Sequence, residues 1–99
     1  MTRAVYRQAA AQDVADAYGW YESQVSGLGE AFLVAVGAAV DRAAMEPAAM
    51  LVVEPSQRIR RILVRRFLFA VYFRSEGERL VVLAVLHTAR APSVWQGRR

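Results

Sequence analysis

The chain has 99 residues, 56% of them hydrophobic and 22% charged. That is enough for one buried core, and too apolar for a disordered segment. The absence of cysteine excludes disulfides, thiolate zinc sites and cysteine nucleophiles. The net charge of +4 is unevenly spread, because residues 1–56 hold three Arg against seven acids whereas residues 57–99 hold ten Arg against two. A cationic half of this kind attracts nucleic acid or acidic protein segments.

In chain order, Ala4-Val5-Tyr6 is a short β-prone segment. From about Gln8 the period changes: Ala10, Val14, Ala17, Tyr18, Tyr21 and Val25 recur at spacings of three and four and define one apolar helix face. Gly19 costs this helix stability and is expected to permit close packing. Ser26-Gly27 ends it. A second helix starts near Leu28, with Phe32, Ala35, Val36, Ala39, Val40 and Ala43 as its buried stripe and the small residues Gly37, Ala38 and Ala44 inviting a close neighbour. Pro47 stops it at Glu46. The short connection predicts an antiparallel helical hairpin. Residues 47–56, with Pro47 and Pro55, read as a loop. Segments 58–66, 67–74 and 79–87 read as strands, with a tight turn or bulge near Phe67-Leu68 and a hairpin turn at Ser75-Glu76-Gly77-Glu78.

The expected architecture is one α+β domain over residues 1–99, a helical hairpin packed on a small antiparallel sheet in the order β-α-α-β-β-β. Phe32, Val36, Val40, Ile62, Val71, Val82 and Ala84 are expected in the core. Residues 80–86 are apolar at every position, so this strand should be central and covered on both faces. The helices cover one face; the segment from Thr88 onward or a partner would cover the other. No apolar run approaches the ~20 residues of a membrane span, and the N-terminus lacks a signal-peptide core, so a cytoplasmic protein is expected.

Four fragments in order carry a family resemblance: Asp13-Val14 with Trp20-Tyr21-Glu22; Gly27-Leu28-Gly29 with Phe32; Arg60-Arg61 through Arg65-Arg66-Phe67 to Ala70-Val71-Tyr72-Phe73; and His87-x-x-Arg90-x-Pro92-x-x-Trp95. From about Ala9 to Arg98 the chain resembles RelE/ParE toxins, the toxin halves of bacterial type II toxin–antitoxin pairs, which include plasmid stabilization systems. It departs from the family where Phe67-Leu68-Phe69 replaces a common Phe-Pro-Tyr and where Ala89 replaces a second basic residue. The resemblance implies two alternative activities. ParE-like members inhibit DNA gyrase by binding; RelE-like members are ribosome-dependent endoribonucleases that cleave mRNA. Without Lys, and without a Tyr after Tyr72, this chain is closer to the ParE side. Either way a cognate antitoxin with apolar and acidic residues is implied, in a hetero-oligomer, with no cofactor.

Metal-free RNA cleavage would need an acid, a base and cations for the phosphate. His87, Arg61, Arg66 and Arg90 are the catalytic candidates under that alternative, with Tyr72 a further proton donor. His87 reads more simply as a strand-end residue that hydrogen-bonds the backbone and orients the tail. Arg58, Arg60, Arg65, Val82 and Trp95 are the candidates for binding target or antitoxin. The Arg cluster also reads as a phosphate clamp or as charge flanking Ile62-Leu63-Val64. Neighbouring Arg residues on a strand point to opposite faces, so one ligand cannot engage all of them. Trp20 and Tyr21 read as packing residues. Asp13, Asp16 and Glu22 read as solvated helix charges, and no metal site is expected.

Overall fold

The computed structural model describes residues 3–89. Strand β1 (Arg3–Tyr6) leads into helix α1 (Gln8–Gln24) and helix α2 (Leu28–Met45). A 3-10 turn (Pro47–Ala49) and strand β2 (Leu51–Glu54) follow, then β3 (Ile59–Val64), β4 (Phe69–Glu76) and β5 (Arg79–His87). The strands form one sheet in the order β1-β5-β4-β3-β2.

Two features differ from the sequence expectation. The sheet is mixed, because β1 runs parallel to β5 while the other pairs are antiparallel. Element order alone does not say which strand β1 joins. The supposed loop 47–56 also contains β2. Its β-branched Val52-Val53 pair fits a pleated edge, and Pro55 falls just beyond the strand, where no ladder donor is lost.

Strand β5 is the centre of the molecule. It lies between β1 and β4, and Leu80 through Leu86 are each at most 3% exposed. Leu80, Val82 and Val85 face the helices with Phe32, Val36, Val71 and Phe73. Val81, Leu83, Ala84 and Leu86 face the other way with Ile59, Ala70 and Tyr72. Two consecutive residues share the second face because the register slips there: Tyr72 pairs with Ala84 but Phe73 pairs with Val82, leaving Leu83 as the extra residue of a β-bulge. The second face is already buried in the single chain, so no partner is needed to cover it. Val71, Val82, Ala84 and the three residues predicted from α2 are buried as expected, and Ile62 packs partly buried against them.

The helical hairpin forms as its stripe predicts, with Phe32, Val36, Ala39, Val40 and Ala43 buried. α1 packs over β5 and α2 over β3. Gly27 at φ 89° makes the left-handed link between the helices. Glu22 then locks the corner. One carboxylate oxygen accepts from Gly27 N and the other from Gly29 N, each at 2.9 Å. A carboxylate on the free N–H groups that open α2 also meets the positive end of its dipole. Glu22 is therefore a structural clasp, not a solvated charge.

The close approach between helices occurs at Gly29, not at Gly19 or Gly37. A Cβ at Gly29 would lie 2.8 Å from Tyr18 O and 2.9 Å from both Glu22 Oε1 and Tyr18 Cδ2, whereas nothing lies within 4 Å at Gly19 or Gly37. Gly29→Ala should therefore cost about 1–3 kcal/mol by overpacking. Gly19→Ala should instead stabilise by about 0.5–1 kcal/mol, since alanine is the better helix former and nothing opposes it. Chemical denaturation of the two variants checks the pair; a stable Gly29→Ala would show that the corner has slack.

Candidate functional site

Among the described residues, two clefts are lined by polar side chains. The first, about 190 Å³, lies where α1 crosses the end of β5 and is lined by Asp13, Asp16, Ala17, Phe69, Val85, Leu86 and His87. Val85 is the second residue after the bulge, and its N–H donates to Asp13 Oδ2 at 3.0 Å. Asp13 thus satisfies a backbone donor inside the sheet, a role that spacing along the helix does not reveal. His87 is half-buried, its ring edge-on to Phe69 at 5.6 Å. Its Nδ1 accepts from Ala89 N at 3.1 Å, which in the neutral ring leaves the proton on Nε2. This is the geometry of the strand-end reading. Among the described residues, the ionisable neighbours of His87 in the cleft are the carboxylates of Asp13 and Asp16.

Behind it runs a chain of aromatic rings. Phe69 lies 5.0 Å from Phe32, Tyr21 lies 5.2 Å from Phe32, and Phe67 meets both Tyr21 and Phe32 at 5.0 and 5.3 Å. Such pairs contribute about 0.5–1.5 kcal/mol each beyond burial, and they fasten the linked end of the hairpin to the β3–β4 turn. Tyr21 therefore packs as predicted. Trp20 does not: it is 60% exposed and only its edge meets Tyr21.

The predicted site residues are dispersed. Val82 is fully buried beneath the helices, so it has no surface with which to bind a partner. Arg60 donates to Ala48 O at 3.1 Å and Met50 O at 2.8 Å, tying the 3-10 turn to β3. Arg61 stands on the opposite face, in register with Tyr72 and Leu51. Tyr72 itself is buried, and so is no ready proton donor. Arg65 and Arg66 lie in the β3–β4 turn and not in a strand as predicted; Arg66 takes φ 75° and sits 5.9 Å from the Phe67 ring centroid. Arg90 and Trp95 lie outside the described residues.

The second cleft, about 370 Å³, is at the other end of the sheet and is lined by Gln57, Arg58, Arg74, Ser75, Glu76 and Gly77. Glu76 receives Arg74 Nε at 2.7 Å, with Arg79 at 3.5 Å and Arg7 at 3.8 Å. The hydrogen bond from Arg74, together with the charges of Arg74, Arg7 and Arg79, holds the Glu76 carboxyl below its ordinary value despite partial desolvation. Sequence reading placed Glu76 in a turn and gave it no role. Among the described residues no three His, Cys, Asp or Glu side chains gather as a metal ion would require, and no helix is long and apolar enough to cross a membrane.

No protein-family profile matches the chain, and no curated protein matches it in sequence. Its fold matches a chain of the chromosomal ParDE TA system from P. aeruginosa with a TM-score of 0.65, covering 88% of this chain and 96% of that one at 20% identity. The fold is RelE/ParE-like. On this RelE/ParE-like frame, Asp13, Glu22 and Gly29 hold the framework, and His87 closes the end of β5.

Asp13→Ala should strand the Val85 N–H and lower stability by about 1–3 kcal/mol. Asp13→Asn, which keeps an acceptor, should lose less than half as much. Thermal unfolding distinguishes them; equal stability of Asp13→Ala and wild type would remove the pin from the account.

Proposed function

We propose that the chain is the toxin of a type II toxin–antitoxin pair, acting in the bacterial cytoplasm by ParE-like inhibition of DNA gyrase. The observation that carries the toxin reading is the likeness in fold to a ParDE system over nearly the whole of both chains. The preference for binding over RNA cleavage rests on the surroundings of His87. A nuclease histidine works beside cations that stabilise the phosphorane-like charge. Here Nδ1 is engaged by Ala89 N, and the cleft is shared with Asp13 and Asp16. Arg61 lies three residues along β3 from Val64, which is in register with Phe69 and through it with His87.

The antitoxin docks at the edge strand β2. Leu51, Val52 and Leu63 are 60%, 40% and 53% exposed there, and Arg61 is in register with Leu51. The outer side of β2 pairs with no strand among the described residues. An apolar and acidic segment laid along it would gain main-chain hydrogen bonds, apolar anchors and charge complementarity. Arg58 and Arg65, both exposed, would speed its approach more than they would strengthen the complex.

Purified protein should inhibit gyrase-catalysed supercoiling and leave ribosome-bound mRNA intact, and His87→Ala should inhibit gyrase as well as wild type does. Ribosome-dependent cleavage of mRNA by the wild type, lost in His87→Ala, would replace this reading with the nuclease using His87, Arg61, Arg66 and Arg90.

A further inference from the structure

Apart from Arg58, which also helps to steer the antitoxin, the cleft at the far end of the sheet has no part in the proposed toxin function, yet it is built like a ligand site. Arg7, Arg74 and Arg79 converge on the single carboxylate of Glu76, and Arg58 joins Arg74 in the wall of the cleft. Arg3 is in register with Arg79, which is in register with Glu76, so a further cation ends the same row. One carboxylate cannot neutralise this group, and Arg58 engages no side-chain partner among the described residues. Glu76 orders Arg74, whose side chain is only 19% exposed, through Nε. A guanidinium presents five donors, so most of Arg74's donors remain for something else.

A second, independent observation concerns Gln57. Its Oε1 is buried and has no hydrogen-bond partner, and the residue lines the same cleft. A buried acceptor left unpaired costs the desolvation of that atom. The guanidiniums call for an anion, while the Gln57 carbonyl calls for a donor; the Ser75 hydroxyl can serve either. Arg58, at φ 57°, adopts the left-handed backbone that non-glycine residues seldom take, which places a long cationic side chain in the turn before β3.

We propose that this cleft binds a small phosphate monoester bearing a free hydroxyl: the phosphate is held by Arg58, Arg74 and the Ser75 hydroxyl, and the ligand's own hydroxyl donates to Gln57 Oε1. The excess of cations over Glu76 suits a near-dianion better than a singly charged carboxylate. At about 370 Å³ the space is at the small end of ligand clefts, with room for a phosphate and a few carbons. Arg58 and Gln57 belong to the turn before β3 and Arg74 and Ser75 to β4, so the ligand bridges neighbouring strands at the end remote from His87.

The test is calorimetric titration of the full chain, at constant ionic strength, with glycerol phosphate, methyl phosphate and sulfate. Glycerol phosphate should bind one to one and more tightly than methyl phosphate, which lacks the hydroxyl, and sulfate should be weaker than glycerol phosphate. Arg58→Asn keeps tolerance of a positive φ and should weaken both esters about tenfold, the scale of one lost charge-assisted hydrogen bond. Gln57→Leu should bring glycerol phosphate down to the level of methyl phosphate. Arg65→Asn, which removes an exposed cation elsewhere, should change nothing. Far-ultraviolet circular dichroism confirms that each variant is folded. Absence of saturable binding by glycerol phosphate would overturn the proposal, as would equal binding of all three anions or equal losses in Arg58→Asn and Arg65→Asn. Equal binding of the two esters to the wild type would overturn the pairing of the hydroxyl with Gln57.

Discussion

Everything in this fold is arranged around a strand that touches apolar neighbours on both faces. A buried strand can leave no backbone N–H or C=O unpaired without a cost of kilocalories. β5 meets that demand with β1 on one side and β4 on the other. The bulge at Leu83 then disturbs the ladder at the worst place, the middle of the core. Past the end of β1, Asp13 accepts the Val85 N–H from outside the sheet. That hydrogen bond ties α1 to β5 across a sequence separation of 72 residues.

The second helix is placed by a different device. Glu22 spans Gly27 N and Gly29 N, and the absence of a side chain at Gly29 lets the end of α1 press against the start of α2. The rings of Tyr21, Phe32, Phe67 and Phe69 then join this corner to the β3–β4 turn. The Phe67-Leu68-Phe69 run makes physical sense in this setting. Both Phe rings turn inward to the aromatic cluster, while Leu68 remains 68% exposed at the tip of the turn. A ring is what the cluster requires, and a hydroxyl there is dispensable.

What the sequence revealed follows from how far each signal reaches. Period and punctuation located both helices, the Gly27 corner and four of the five strands, because those signals are local. The apolar run 80–86 disclosed a two-faced central strand, because only burial on both sides tolerates it. β2 was hidden by its flanking prolines, and the parallel pairing of β1 by the lack of any local mark of which strand it joins. The roles of Asp13, Glu22 and Glu76 were missed for one reason. Each carboxylate looks like a solvated charge along the chain and acquires its partner only in three dimensions. Val82 was misassigned because an alternating strand has two faces, and a bulge that changes which is which leaves no trace in composition. Arg60 was read as a residue for binding target or antitoxin, yet its guanidinium is engaged by two carbonyls of the preceding turn.

The toxin activity we propose rests on a framework shared with a ParDE system. Its most direct test is growth. The gene should be induced in a bacterial host, alone and together with the short open reading frame adjacent to it in its own genome, and viable cells counted over time. Viable count should fall on induction of the chain alone, and recover when the neighbouring product is present and copurifies with it. Undiminished growth at a level where the folded protein accumulates would contradict it.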